Sequence, residues 1–333
     1  MSWEANSTNL PHLNIKLSEE IAYMFRLTEK PYMFGFCVVL DLVTILLQGF
    51  TCYVFWCGGS RLSYPTTRLL FNQSFAELCV VLGHALNILA PSPVDLLPPT
   101  IASEALCRLW LSRFLLWGLY SVALHSLLLS SFERYLATVH PIKHRTSFGT
   151  SQATTGIAIV WVYGFAWSSV LIAYTTINPE TGLCHTSEGP VAIPFGIVLS
   201  LCGVSLPAML LMFFFFSIFW RLRKTSLKKG KIHGAVFRKA KINTLVSMAI
   251  VCTNYHLMFI PTYVICFFKI FTVLEDPGPV IDISLRMCVV MPIICVFCNP
   301  WIFYFKNPGF RYAFKKAYLS VRKKFKNEVD VVA

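Results

Sequence analysis

Glu133 and Arg134 stand side by side in SSFERYLATVHPIKHR, residues 130–145, at the end of a long apolar run. A charge at the centre of a bilayer costs about 2.5–3.5 kcal/mol on insertion scales, and residues that carry one usually face a bundle interior or a cavity. The neighbouring acid offsets part of that cost for the arginine, so the pair reads as a functional site. Other ionisable groups are scattered through apolar sequence: Asp41, Glu77 and the imidazoles of His84, His125 and His256. A lone intramembrane imidazole is more often a hydrogen-bonded packing residue than a ligand, and Asp41 is expected to face another helix. No nucleophile stands beside a base and no metal-binding cluster is visible, so the sequence predicts no enzyme, no cofactor and no metal.

The elements that position these residues are membrane spans. Of 333 residues, 56% are hydrophobic and 14% charged, where an ordinary soluble domain has roughly 25% charged. Apolar runs near 32–57, 69–90, 108–139, 153–177, 192–220, 243–271 and 284–305 are each long enough to cross about 30 Å of hydrocarbon. The fold class is therefore all-α membrane protein, a seven-transmembrane helix bundle. Net charge +13 raises the question of nucleic acid, but 21 of the 29 Lys and Arg lie in alternate loops, at Arg61, Arg68, Lys143 and Arg145 and within 221–241 and 306–326. Eleven of the sixteen acids lie on the other side. That asymmetry is the positive-inside pattern: it predicts a multi-pass membrane protein with its N-terminus outside and its C-terminus cytoplasmic, a lipid bilayer as partner and no nucleic acid.

The expected domains are an extracellular segment 1–31, a transmembrane domain 32–306, and 307–333 as a cytoplasmic amphipathic helix with a short tail. That last helix is expected from Phe310, Phe314, Tyr318 and Val321 at helical spacing opposite a basic face. No removable signal peptide is visible, so span 1 is expected to act as the targeting signal. Asn6-Ser7-Thr8 is a glycosylation acceptor, whereas Asn72-Gln73-Ser74 lies at or inside the membrane. Of twelve cysteines, ten fall in or beside apolar runs, where Cys behaves as a small hydrophobe. Cys107 and Cys184 remain, both facing an oxidising compartment where they can pair.

Glu133-Arg134-Tyr135 with Pro141 seven residues after the arginine resembles the signature at the inner end of helix 3 in rhodopsin-like G-protein-coupled receptors. Trp161 lies 27 residues after Arg134, similar to that family's helix 4 tryptophan. Pro207, Pro261 and Asn299-Pro300 match its landmarks in helices 5, 6 and 7, and Phe310-Arg311 stand where its eighth helix begins. Each match alone is weak, but together, in order over about 32–325, they are specific.

The resemblance implies a cell-surface receptor that binds an extracellular ligand and activates a heterotrimeric G protein. Glu133, Arg134, Tyr135, Asn299 and Pro300 would form the coupling switch, with the acid holding the arginine at rest. Pro207, Phe259 and Pro261 would form the activation hinge, and Glu77 stands where the family has its helix 2 acid. Cys107 lies 27 residues before Arg134 instead of the usual 25, which questions the geometry of a bond to Cys184.

Several residues depart from the pattern. Gly49 or Phe50 stands where span 1 should hold an asparagine, Ala123 replaces a serine, and Cys295 and Val296 replace small polar residues. Around Glu77 only Asn299 is then an obvious further oxygen ligand for a sodium ion. Phe215 and Phe303 replace two tyrosines, Phe259 replaces a tryptophan, and Lys241 stands where some relatives have an acid that pairs with the arginine.

Eighteen residues before Arg134 is Leu116, where amine receptors carry an aspartate. With Arg113 and Arg286 nearby in the outer half, alongside Phe259, the ligand candidates point to an acidic small molecule or lipid. The alternative reading of Arg108, Arg113, Lys269 and Arg286 is interfacial pairing with Glu104, Glu275 or Asp282. At the level of function, the alternatives are a membrane transporter or channel, whose internal repeats are not visible, and a receptor-like protein without G-protein signalling.

Overall fold

The computed structural model describes residues 31–57, 64–89, 100–177, 182, 184–186, 201–228, 246, 250, 253–257, 279–306 and 310–319. Five long helical segments in it are apolar enough to span a bilayer: Tyr32–Cys57, Pro65–Leu89, Ile101–Val139, Thr150–Tyr174 and Leu206–Lys224. The expected span 6 falls almost wholly outside the described residues, and span 7 corresponds to a helix at Pro279–Lys306.

Helix α1 (Pro31–Cys57) shows why hydrocarbon is the solvent. Val39, Leu42 and Leu46 are 61%, 57% and 73% exposed, while Asp41, Thr44, Gln48 and Thr51 are all buried. The polar stripe faces inward and the apolar face outward, which only a lipid surround stabilises. Helix α2 (Pro65–Leu89) continues the inward polar face with Asn72, Gln73, Ser74, Glu77 and His84.

The third span is not the continuous helix expected over 108–139. It runs as α3 (Ile101–Leu106), a π-helical turn at Cys107–Leu111, a break at Ser112–Arg113, and α4 (Phe114–Val139). Arg113 has φ 58°, the left-handed region that an L residue enters only at a break of this kind. A π turn holds more residues per rise than an α turn. The two extra residues between Cys107 and Arg134 are thus taken up locally, and the Cys107–Cys184 disulfide forms.

A short helix α5 (Pro141–Ser147) links α4 to α6 (Thr150–Ser168), with proline at the first helical position, where its missing N–H costs nothing. Helices α4 and α6 meet at glycines: a Cβ on Gly164 would lie 2.6 Å from Val122 Cγ2, and one on Gly118 2.6 Å from the Phe165 ring. Small residues there let the backbones close up. After α7 (Val170–Tyr174) the fourth span ends earlier than its expected limit at 177, because Thr175–Ile177 pairs antiparallel with Cys184–Thr186. The disulfide ties this hairpin to the π turn.

Helix α8 (Leu206–Lys228) follows a second π turn at Leu201–Ser205. Pro207 sits just beyond it, and its missing backbone donor explains the widened turn. Helix α9 (Pro279–Lys306) carries Pro292 and Pro300 inside it and packs on α1 and α2. The central core is Val80, Val81, Leu119, Ile293 and Val296. Residues 310–319 are helical, and Phe310 and Ala317 pack with Val54, Phe55 and Phe303.

Candidate functional site

At the end of α4 the Glu133 carboxylate is 2% exposed. Its Oε1 accepts from Thr66 Oγ1 at 2.7 Å and from His144 Nε2 at 2.9 Å. Arg134 is not tightly held: its Nε lies 3.7 Å from Glu133 Oε2, with the side chain 30% exposed. That separation is an ion pair without a hydrogen bond. Tyr135 lays its ring on Phe213 and Phe214 of α8, at 5.8 and 5.2 Å, which couples the third span to the fifth.

Glu77 lies deeper, 4% exposed. Its Oε2 accepts from Gln48 Nε2 at 2.8 Å, and its Oε1 from Gln73 Nε2 at 3.1 Å and Asn299 Nδ2 at 2.6 Å. The Gln48 amide also donates to the Val296 carbonyl at 2.9 Å, so one side chain joins α1, α2 and α9. The polar partners absent at Gly49, Phe50 and Ala123 are therefore replaced by Gln48 and Gln73. These amides present N–H groups to the carboxylate, while the amide oxygens Gln48 Oε1 and Asn299 Oδ1 are buried without a hydrogen-bond partner, so a sodium ion there would have to compete with three N–H donors for Glu77. Pro300, the next residue after Asn299, is buried with it.

Two further links hold the bundle interior. Asn72 donates to Ser126 Oγ at 2.9 Å and accepts from Trp161 Nε1 at 2.9 Å, so the helix 4 tryptophan fastens α6 to α2 and α4. Asn254 Nδ2 reaches Cys295 at its carbonyl, 3.4 Å, and at Sγ, 3.3 Å. Phe303 packs its ring against Phe55 and Phe310, each at 6.2 Å, where a tyrosine would bring a hydroxyl.

Toward the outer end Leu116 is buried, 5% exposed, and a Cβ on Gly83 would lie 3.6 Å from it. Arg113 caps α4 about one turn before Leu116 and is half-buried. Arg108 belongs to the interfacial reading instead, bonding Glu104 at 2.7 and 2.8 Å while Thr176 also donates to that acid at 3.1 Å. Of the other expected site residues, Asn6, Phe259 and Pro261 lie outside the described residues, as does the side chain of Arg286. Sequence reasoning passed over Gln48, Gln73, Thr66 and His144; an amide alone in an apolar run was the available signal for Gln48.

Residues 49–303 match the family described as 7 transmembrane receptor (rhodopsin family). The chain belongs to that family. It is similar to the human Olfactory receptor 11G2, 26% identical over 300 residues covering 85% of this chain and 80% of that one. It is 24% identical over 239 residues to the Substance-K receptor of Mesocricetus auratus, covering 66% of this chain and 60% of that one. With Adenosine receptor A2b of Canis lupus familiaris it shares 23% over 279 residues, 78% of this chain and 81% of that one. The chain is thus a multi-pass G-protein-coupled receptor, in a family of receptors and not of enzymes.

Proposed function

We propose that this receptor sits in the plasma membrane with its N-terminus outside, binds an extracellular acidic small molecule or lipid in the outer half of the bundle, and activates a heterotrimeric G protein at the inner end. The observation that carries the coupling reading is the loosely paired, partly exposed Arg134 beside a buried Glu133. A guanidinium in that condition has donors available for a partner's carbonyls and carboxylates. Tyr135, Asn299 and Pro300 complete the inner switch, Pro207 with Phe259 and Pro261 forms the hinge, and the 310–319 helix lies along the cytoplasmic membrane surface with Arg311, Lys315 and Lys316 exposed. On the outer side, Arg113, Leu116, Phe259 and Arg286 line the ligand site, and Asn6 carries a glycan.

The test is nucleotide exchange by purified receptor on a panel of G-protein α-subunits, with Arg134→Ala as the comparison. Wild type should accelerate exchange on at least one α-subunit, and Arg134→Ala should reach the cell surface yet lose that acceleration. Equal exchange by both proteins would overturn the role of Arg134; no exchange with any α-subunit, with or without ligand, would favour a receptor-like protein that does not signal through G proteins.

A further inference from the structure

We propose that His144 is a positioning residue for coupling: by bonding Glu133 it keeps that carboxylate turned away from Arg134, and so keeps the guanidinium available to the G protein. This rests on the coupling role proposed for Arg134.

Glu133 is buried, 2% exposed, and cannot turn to water for its hydrogen bonds, so its orientation is decided by nearby donors. Two of them, Thr66 on α2 and His144 on α5, take the same oxygen at 2.7 and 2.9 Å. The other oxygen is left 3.7 Å from Arg134 Nε, beyond hydrogen-bond reach. The placement of His144 is built in. Pro141 starts α5 at its first position, His144 follows one turn later, and its ring stacks on Phe148 at 5.6 Å and 16°.

The other described charges nearby point elsewhere. Arg68 of α2 donates to Thr154 at 2.6 Å, His140 faces the Tyr135 hydroxyl at 3.3 Å, and Lys143 and Arg145 are exposed on α5. Remove the His144 donor, and Thr66 alone holds Oε1, leaving Arg134, 3.7 Å from Oε2, as the charged donor beside a carboxylate that has lost one of its two hydrogen bonds. The guanidinium would then be drawn into the buried pair and lost to the partner.

The experiment is agonist-free nucleotide exchange by purified receptor, comparing wild type with His144→Leu, His144→Gln, Glu133→Gln, the double variant Glu133→Gln/His144→Leu, and Arg134→Ala. His144→Leu should lower the rate about tenfold, the order of one hydrogen bond to a charged group. His144→Gln, which keeps an N–H donor at similar reach, should restore most of it. In the Glu133→Gln background the leucine should have no further effect, because no carboxylate remains to capture Arg134. An equal loss in both backgrounds would mean that His144 touches the G protein directly, and would overturn the proposal. So would a His144→Leu rate equal to wild type, or a wild type silent without agonist. Should His144→Leu not reach the membrane, His144→Asn, too short to reach Glu133, takes its place. Exchange that survives Arg134→Ala sinks the coupling reading itself, whereas an additive cycle with Arg134→Ala inactive sinks only the role of His144.

Discussion

Asp41 of α1 and His84 of α2 form a buried pair: His84 Nδ1 lies 3.0 Å from both carboxylate oxygens of Asp41, and the two residues are 4% and 2% exposed. A carboxylate only accepts, so Nδ1 carries the hydrogen that it donates. The pair joins two spans through the one acid that the sequence left without an evident role.

Breaking one half of such a pair strands a charge in the bundle, which costs about 3–5 kcal/mol in comparable buried sites, whereas replacing both members by apolar residues is often neutral. His84→Leu should therefore lower the thermal midpoint of purified receptor sharply, and Asp41→Leu/His84→Leu should recover much of the loss. Additive losses in the double variant would show that the two residues stabilise the bundle independently of each other.

Glu77 predicts the second outcome. Three amide nitrogens already donate to its oxygens at 2.6 to 3.1 Å, so sodium must compete with them for the carboxylate. Thermal stability, and agonist affinity once an agonist is known, should be the same in sodium as in a bulky organic cation at equal ionic strength. A sodium-specific stabilisation that disappears in Glu77→Ala would contradict this. Gln48→Leu should loosen α1 from α2 and α9, since that amide also holds the Val296 carbonyl.

How far the sequence carries can be seen at these same residues. Hydrophobic run length places the spans because the bilayer imposes a single thickness on every helix, and α1, α2, α4, α6 and α8 fall where the runs do. What run length does not report is which polar residue closes a contact. The role of the missing span 1 asparagine passes to Gln48, next to Gly49, because a longer side chain reaches Glu77 from a different point on the helix surface. Nor is local irregularity legible: the π turn at Cys107–Leu111 and the left-handed Arg113 leave no hydrophobic signature. Only a count of residues between Cys107 and Arg134 showed that something had to absorb two. His144 was invisible for another reason, since its partner lies eleven positions earlier and the contact depends on how α5 packs.

The Cys107–Cys184 bond gives a third outcome. It joins the π turn to the hairpin Thr175–Ile177/Cys184–Thr186, so mass spectrometry of unreduced digests should recover a peptide linking those two cysteines. Finding both as free thiols in surface receptor would exclude it. Cys37, Cys52, Cys79, Cys295 and Cys298 are free and buried or half-buried, and should react with a membrane-impermeant thiol reagent only after denaturation.

The ligand class rests on charge at the outer end. Arg113 is half-buried at the break before α4, one turn from buried Leu116, a position in the outer half where a guanidinium could meet an acidic ligand. A carboxylate or phosphate held there would be bound in a low-dielectric setting, where a charge-assisted, two-pronged hydrogen bond is strengthened. Lysine cannot reproduce that planar fork. Potency of an acidic agonist should accordingly fall by about tenfold or more in Arg113→Gln, the order of one charged hydrogen bond, with Arg113→Lys recovering little, and Arg286→Gln should add to the loss. If Arg113→Gln and Arg286→Gln both keep full potency at normal surface expression, the two arginines serve the membrane interface, and the ligand is recognised by shape and apolar contact around Leu116 instead.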